Sequence, residues 1–160
     1  MRQLAIIIFV SATACTYASS TNSGLGNALP ERKAEQAQLG PAEERKLVVR
    51  RYIEVWQNGS LEELSELIAD GYVGHPASGD RDIDGLRRRI AQFRAAYPDM
   101  RFTIEDQLSV GNRVATRMTA TGIATATGKP VRLIGINISR FMGNRIVEEW
   151  PVWEVALPRD

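Results

Sequence analysis

The 160-residue chain is long enough for one domain with a core of its own, since 44% of its residues are hydrophobic and 24% are charged. Its 20 Lys and Arg side chains are balanced by 19 Asp and Glu, so the formal net charge is only +1. This balance gives no basic surplus of the kind that nucleic-acid-binding proteins carry. A single cysteine excludes an intramolecular disulfide.

The N-terminus has the pattern of an export signal. Met1-Arg2 supplies a positive start, Leu4 to Val10 is an unbroken apolar run, and Ala12-Thr13-Ala14 offers small residues suited to signal peptidase. The run is far shorter than the roughly 20 apolar residues that a spanning helix needs. Residues 1–14 are therefore predicted to be a signal peptide.

Cys15 directly follows these small residues, and the segment resembles the lipobox of bacterial lipoproteins, although Ala12 replaces the usual leucine. In such boxes the cysteine is acylated and becomes the mature N-terminus. A lone thiol in an oxidising compartment is a liability unless it is modified, and several acyl chains would anchor the protein stably. We therefore expect lipid attachment at Cys15 and a bacterial cell-envelope protein. The alternative is an incidental cysteine in a soluble periplasmic or secreted protein.

Residues 15–40 are predicted to form a flexible, lipid-attached tether. From Thr16 to Gly40 the chain is rich in Ser, Thr, Asn, Gly, Ala and Gln and almost lacks large apolar residues. Such a segment cannot bury enough surface to order itself. The folded domain is accordingly predicted to span residues 41–160.

Two helices are predicted at the start of the domain. Pro41 suits the first turn of a helix that runs to Asn58, and its apolar residues recur at helical spacing, namely Val48, Tyr52 and Val55. A second helix is predicted from Ser60 to Ile68, because Ser60 and Glu63 form a capping-box pattern.

The next segment, Asp70 to Asp82, contains three glycines and Pro76 and is predicted to be irregular. A third helix is predicted from Ile83 to Tyr97, with Pro98 ending it. Its apolar stripe consists of Leu86, Ile90, Phe93 and Tyr97.

The rest of the chain predicts strands joined by short turns. Apolar and polar residues alternate in four segments, which are Phe102 to Val110, Arg113 to Ala126, Val131 to Met142 and Ile146 to Val155. Three helices followed by hairpins are typical of an α+β fold in which the helices cover one face of a curved, antiparallel, four-stranded sheet. Such a sheet can wrap around a pocket, which is the default place for a functional site.

Five segments carry a family resemblance in their order and spacing, and they are 51–59 (RYIEVWQNG), 72–75 (YVGH), 97–100 (YPDM), 135–141 (GINISRF) and 145–150 (RIVEEW). They resemble the SnoaL-like polyketide cyclase and ester cyclase family of the NTF2-like superfamily, over about residues 43 to 155. The resemblance implies an NTF2-like cone that is often dimeric. It also implies an intramolecular aldol reaction on a small hydrophobic or polyketide-like molecule, without metal or organic cofactor.

The resemblance also implies a catalytic carboxylate four residues after Trp150, a position that Glu154 occupies. Relatives often carry histidine directly before the tryptophan, where this chain has Glu149, so a histidine role does not carry over. An aldol closure needs a base, and a carboxylate serves when burial raises its pKa. Trp150, Val152, Trp153 and Val155 could surround Glu154; the alternative is an exposed glutamate near the C-terminus. If Glu149 is a solvated strand residue, Glu149→Gln should affect activity less than Glu154→Gln.

Other candidates each have a functional and a structural interpretation. His75, the one histidine, is either an acid, base or oxyanion donor or an ordinary loop residue. Tyr52 either presents its hydroxyl to a ligand or belongs to the core. Asn137 faces either the pocket, with Ser139 on the same face, or another strand. Trp56, Trp150 and Trp153 either line an aromatic pocket or pack in the core.

Three functions follow from these patterns. The chain is a cofactor-free enzyme, a non-catalytic module that binds an apolar ligand, or a dimeric interaction domain. One histidine and one cysteine cannot form the usual zinc sets, and no glycine-rich phosphate loop is present. Both faces of Val131 to Phe141 are apolar, which together with the resemblance predicts a homodimer through the outer face of the sheet.

Overall fold

The computed structural model describes residues 40–156. The predicted signal peptide, Cys15 and the predicted tether up to residue 39 lie outside the described residues. Three α-helices and five strands follow one another along the chain, and they are α1 (Pro41–Asn58), α2 (Leu64–Leu67), β1 (Ile68–Gly74), α3 (Ile83–Ala96), β2 (Arg101–Val110), β3 (Arg113–Ala124), β4 (Lys129–Met142) and β5 (Arg145–Val155). The α+β class and the three helices are therefore confirmed.

Helix α1 has the predicted bounds because both of its ends carry stop signals. Pro41 occupies the first turn, where its missing N–H costs no hydrogen bond, and Glu43 and Glu44 face the positive end of the helix dipole. Gly59 ends the helix in the left-handed region at φ 85°, with its N–H donated to the carbonyl of Val55.

The second predicted helix is only partly helical. Leu61–Glu63 forms a 3-10 turn, α2 adds four residues, and Ile68 already belongs to a strand. The predicted capping box does not form, since Ser60 makes no side-chain cap hydrogen bond. Helix α3 is capped instead by Asp82, whose side chain accepts from the N–H of Gly85.

The sheet has five strands in the order β1-β5-β4-β3-β2, so the prediction of four strands was wrong. Strand β1 lies in the segment predicted to be irregular and pairs in parallel with β5, whereas the other pairs are antiparallel. The missed strand has the poor strand formers Ala69, Asp70 and Gly71 after its first residue, and its pairing is irregular between Ile68 and Val73, with Gly71 at φ 74°. Contact with β5, distant in sequence, outweighs this local preference.

The core lies between the helices and the inner face of the sheet. Its fully buried members come from α1, α2, α3, β1, β3 and β5, and include Val49, Leu64, Ile68, Leu86, Ile90, Val114 and Ile146. The opposite, outer face of the sheet carries exposed apolar residues instead. Within residues 40–156, no helix combines the length and apolar character needed to cross a membrane.

Candidate functional site

A cavity of about 930 Å³ opens between α1, α3, the loop after β1 and the inner face of the sheet. Its volume falls within the range of small-molecule sites. Apolar and aromatic side chains supply most of the wall, among them Ile53, Trp56, Leu86, Phe93, Phe102, Met118, Leu133 and Trp153. Its polar groups are few and include Tyr52, Tyr72, Asn137 and Glu149.

Glu149 is the centre of these polar groups and is only 2% exposed. The Tyr72 hydroxyl donates to its Oε2 at 2.9 Å, while Asn137 Nδ2 at 2.5 Å and Ser139 Oγ at 3.2 Å donate to its Oε1. Strand register explains the assembly, because Glu149 is paired with Ser139 on β4 and with Gly74 on β1. Asn137 lies two residues before Ser139 and therefore shares its face. Glu149 is therefore not a solvated strand residue.

Burial raises the pKa of Glu149 above its usual 4.5, although the nearby Tyr52 hydroxyl and the hydrogen bonds from Asn137, Tyr72 and Ser139 oppose this effect. The result is a carboxylate of increased basicity inside an apolar cavity. Burial and the nearby Glu149 carboxylate also raise the pKa values of Tyr52 and Tyr72. Both phenols therefore stay protonated and act as hydrogen-bond donors at neutral pH.

Asn137 carries an unsatisfied polar atom at this site. Its Nδ2 is used by Glu149 and Ser139, yet its buried Oδ1 has no hydrogen-bond partner among residues 40–156. A buried acceptor without a partner is costly, and a ligand hydroxyl would satisfy it. Asn137 is part of the cavity wall, as expected from the interpretation in which it faces the pocket.

His75 lies at the rim of the cavity, where its ring stacks on Trp150 at 5.1 Å between centroids. Its Nδ1 lies 2.9 Å from Asp80 Oδ1, and its Nε2 lies 3.9 Å from Glu148 Oε1. Its backbone N–H donates to the Glu149 carbonyl, but neither ring nitrogen contacts the Glu149 carboxylate. The ring and the buried carboxylate therefore form two separate groups.

Trp153 forms a wall of the cavity through a close contact with Gly135. A Cβ atom at Gly135 would clash with the indole carbons of Trp153, so only glycine lets the ring pack against β4 at this position. The ring also meets Phe102 edge-on at 6.0 Å. Trp150 and Tyr52 line the cavity as well, so all four predicted ligand-binding residues reach it.

Glu154 is exposed and is absent from the cavity wall. It pairs with Ile134 on β4, and the alternation of side chains along β5 places it on the outer face, opposite to Glu149. The apolar surroundings expected for this carboxylate do not form, since Val152 and Val155 are themselves exposed. The polar residues Asn137 and Ser139 in an apolar strand were a sequence signal for a polar site, but the turn at Gly143 alone would pair Ser139 with Glu148. A register shift between Arg140 and Phe141 pairs it with Glu149 instead, and nothing in the sequence indicates that shift.

Among residues 40–156, no group of three or more His, Cys, Asp or Glu side chains is arranged to hold a metal ion. The polar groups that line the described cavity are able to transfer protons and to form hydrogen bonds. They are a buried carboxylate, two phenols and an amide, and all of them border one largely apolar space.

Comparison with known proteins identifies a family model that describes SnoaL-like polyketide cyclases and matches residues 46–158. IdmH from Streptomyces antibioticus, a protein provisionally assigned as a polyketide cyclase, is 31% identical, with a TM-score of 0.63 over 69% of this chain and 91% of that one. A provisionally assigned polyketide cyclase from Acidithiobacillus ferrooxidans is 25% identical, with a TM-score of 0.63 over 72% and 92% of the two chains.

A SnoaL-like polyketide cyclase from Agrobacterium tumefaciens shares the fold at 19% identity, with a TM-score of 0.62 over 69% of this chain and 91% of that one. No curated protein matches the chain.

Proposed function

This chain belongs to the SnoaL-like polyketide cyclase family, and we propose that it catalyses a cofactor-free, acid-base ring closure or isomerisation of a small hydrophobic, polyketide-like molecule. The observation that carries this proposal is Glu149, a buried carboxylate of raised pKa at the centre of a large apolar cavity. Perturbed carboxylates in such clefts are typical of general bases.

In the proposed reaction, Glu149 removes a proton from the carbon beside a substrate carbonyl. The electron pair of the C–H bond moves to the carbonyl oxygen, and the resulting enolate carbon attacks a second carbonyl carbon of the same molecule. A carbon–carbon bond forms, and the second carbonyl oxygen becomes an alkoxide that takes the proton back. Atoms and electrons balance without an oxidant, a metal or a second substrate.

The surrounding residues support each step. Tyr72, Asn137 and Ser139 hold the Glu149 carboxylate in one orientation through three hydrogen bonds. The Tyr72 hydroxyl already donates to Glu149, so we assign the Tyr52 phenol, which also lines the cavity, as the donor to a developing oxyanion.

Deuterium uptake tests the first step without requiring the natural substrate. Aromatic ketones such as 2-tetralone and linear diketones that can close a ring are incubated with the protein in D₂O, and mass spectrometry reports both α-deuterium and ring closure. We expect Glu149→Gln to lower the rate by about 10²–10⁴-fold, which is the usual contribution of a general base.

Glu154→Gln is the matched comparison, because it removes the other candidate carboxylate from the same strand. We expect this variant to keep the wild-type rate, since Glu154 lies outside the cavity wall. Full activity in Glu149→Gln, or loss of activity only in Glu154→Gln, would contradict the assignment.

A non-catalytic apolar-ligand module is the second candidate, and the hydrogen bonding of Glu149 favours it. Donors occupy both carboxylate oxygens, which is also the pattern of a purely structural buried network. This function predicts that the ketones bind while no deuterium enters and no ring closes in the wild-type protein.

The setting of the site is also a proposal. We propose export and lipid anchoring at Cys15, which the apolar run and the small residues before it support. We further propose a homodimer through the outer face of the sheet. Three isoleucines of β4 support this, since Ile134, Ile136 and Ile138 are 41%, 49% and 39% exposed.

A further inference from the structure

The charges that line the cavity are unlike those of the chain as a whole. The chain has a formal net charge of +1, yet the cavity wall contains two arginines, Arg81 and Arg89, besides the rim residue His75. Its one acidic side chain is Glu149, which is buried deep in the cavity. At the rim the His75 ring already has Asp80 and Glu148 beside it, so the cationic side chains of the wall without a carboxylate partner among residues 40–156 are Arg81 and Arg89.

Arg81 is held in place at this rim by its backbone. Its N–H donates to the Gly74 carbonyl at 2.9 Å, and its carbonyl accepts from the Gly74 N–H at 2.8 Å. Its side chain lies over the same glycine, because a Cβ there would lie 3.2 Å from Arg81 Cγ and 2.7 Å from the Tyr72 hydroxyl. Arg81 thus lies beside the phenol that donates to Glu149.

The carboxylates closest to Arg81 in sequence have other partners. Asp80 contacts the His75 ring, and Asp82 accepts the N–H of Gly85 at the start of α3. Among residues 40–156, no carboxylate lies within ion-pair distance of Arg81 or Arg89. Other arginines of the domain do form ion pairs, as Arg140 does with Glu148 and Arg51 with Glu63 and Glu66.

Arg89 reaches the same rim from the helix side. It lies three residues after the buried Leu86 and one residue before the buried Ile90, on the flank of α3 that faces the cavity. Arg88, its neighbour, is exposed and does not line the cavity. Arginines from two different elements therefore line the same cavity.

We propose that Arg81, assisted by Arg89, binds a carboxylate on the ligand, so that the substrate of this cavity is an apolar carboxylic acid rather than a neutral ketone or ester. The inference rests on the proposed use of the cavity as a substrate site. A guanidinium presents a planar pair of donors that matches a carboxylate, and the apolar wall would hold the rest of the molecule. The carbon skeleton would then lie toward Glu149 with the acid group at the rim.

The test compares 1-naphthaleneacetic acid with its methyl ester, which share one ring system and differ in charge. Calorimetric titration of the full-length protein should show the acid binding roughly tenfold more tightly than the ester, as for a partly exposed charge-assisted contact. Arg81→Gln should remove most of this difference, and Arg81→Lys should restore part of it. Arg88→Gln is the matched control and should bind both probes as the wild type does.

The salt dependence of binding to the wild-type protein complements the measurements on the variants. The preference of the wild-type protein for the acid should shrink as salt is raised, because the contact is ionic and near solvent. An ester that binds as tightly as the acid, or an acid preference that survives Arg81→Gln, overturns the proposal.

The deuterium assay separates the two proposals. A protein that prefers the acid through Arg81 but shows no Glu149-dependent exchange keeps the carboxylate site and loses the proposed catalysis. A protein that exchanges through Glu149 without any acid preference keeps the catalysis and loses the carboxylate site.

Discussion

Replacing Glu149 by glutamine should change how the stability of the protein depends on pH. In the folded protein, burial raises the pKa of Glu149 above the usual 4.5 that an unfolded chain would restore. Between these two pKa values the folded state binds more protons than the unfolded state. The free energy of unfolding of the wild type therefore falls as pH rises from about 4.5 through the folded pKa, and then levels off.

The magnitude follows from linkage and from the contacts of the side chain. Each unit by which the folded pKa exceeds the unfolded one costs the wild type about 1.4 kcal/mol at high pH, and glutamine does not titrate. Glutamine keeps the shape and one acceptor oxygen, while its new N–H₂ group can donate to the Tyr72 oxygen if that hydroxyl rotates. At low pH, where Glu149 is protonated, the free energies of unfolding of the wild type and the variant should accordingly differ by about 1 kcal/mol.

Urea unfolding of the wild type and Glu149→Gln from about pH 5 to pH 9 checks this prediction. The difference in free energy of unfolding should shift in favour of the variant as pH rises, and it should then stay constant. Glu154→Gln, at an exposed position on the same strand, is the matched control. A difference for Glu149→Gln that stays flat or falls with pH would refute the reasoning, because the folded pKa would then not be raised.

Three further predictions concern the wall, the outer face and the N-terminus. Gly135→Ala should displace Trp153, lower the free energy of unfolding by about 1–3 kcal/mol and weaken the binding of the naphthalene probes. An unchanged melting temperature together with unchanged binding would contradict this. Ile136→Lys on the exposed face of β4 should convert a homodimer into a monomer in sedimentation, and a wild type already monomeric at tens of micromolar would dismiss the dimer. Mass spectrometry of the mature N-terminus should find acylated Cys15, whereas an unmodified cysteine or cleavage elsewhere would leave an ordinary secretory signal.

The α+β class could be predicted from local patterns alone. The bounds of α1 follow from Pro41 and Gly59, which act within a few residues of the chain. The hairpins follow from period-two alternation and from glycine turns, with Gly111 and Gly143 both at positive φ. Such signals need no distant partner, so they are visible in the sequence.

Strand β1 was not predictable in this way. Its residues Asp70 and Gly71 favour a turn, and the strand exists because it pairs in parallel with β5, more than seventy residues later. Parallel pairing leaves no short turn in the sequence to reveal it. Missing this strand also meant missing Tyr72 as a donor to the site.

The cavity was predicted, but its central carboxylate was not. Glu149 and Glu154 lie on one strand among similar aromatic neighbours, and composition cannot distinguish them. They differ in parity along β5, and the register of β5 against β4 and β1 decides that Glu149 faces Asn137 and Ser139 while Glu154 faces solvent. The sequence by itself determined which chemical groups were present; tertiary pairing decided which of them are desolvated, and desolvation is what makes a carboxylate basic.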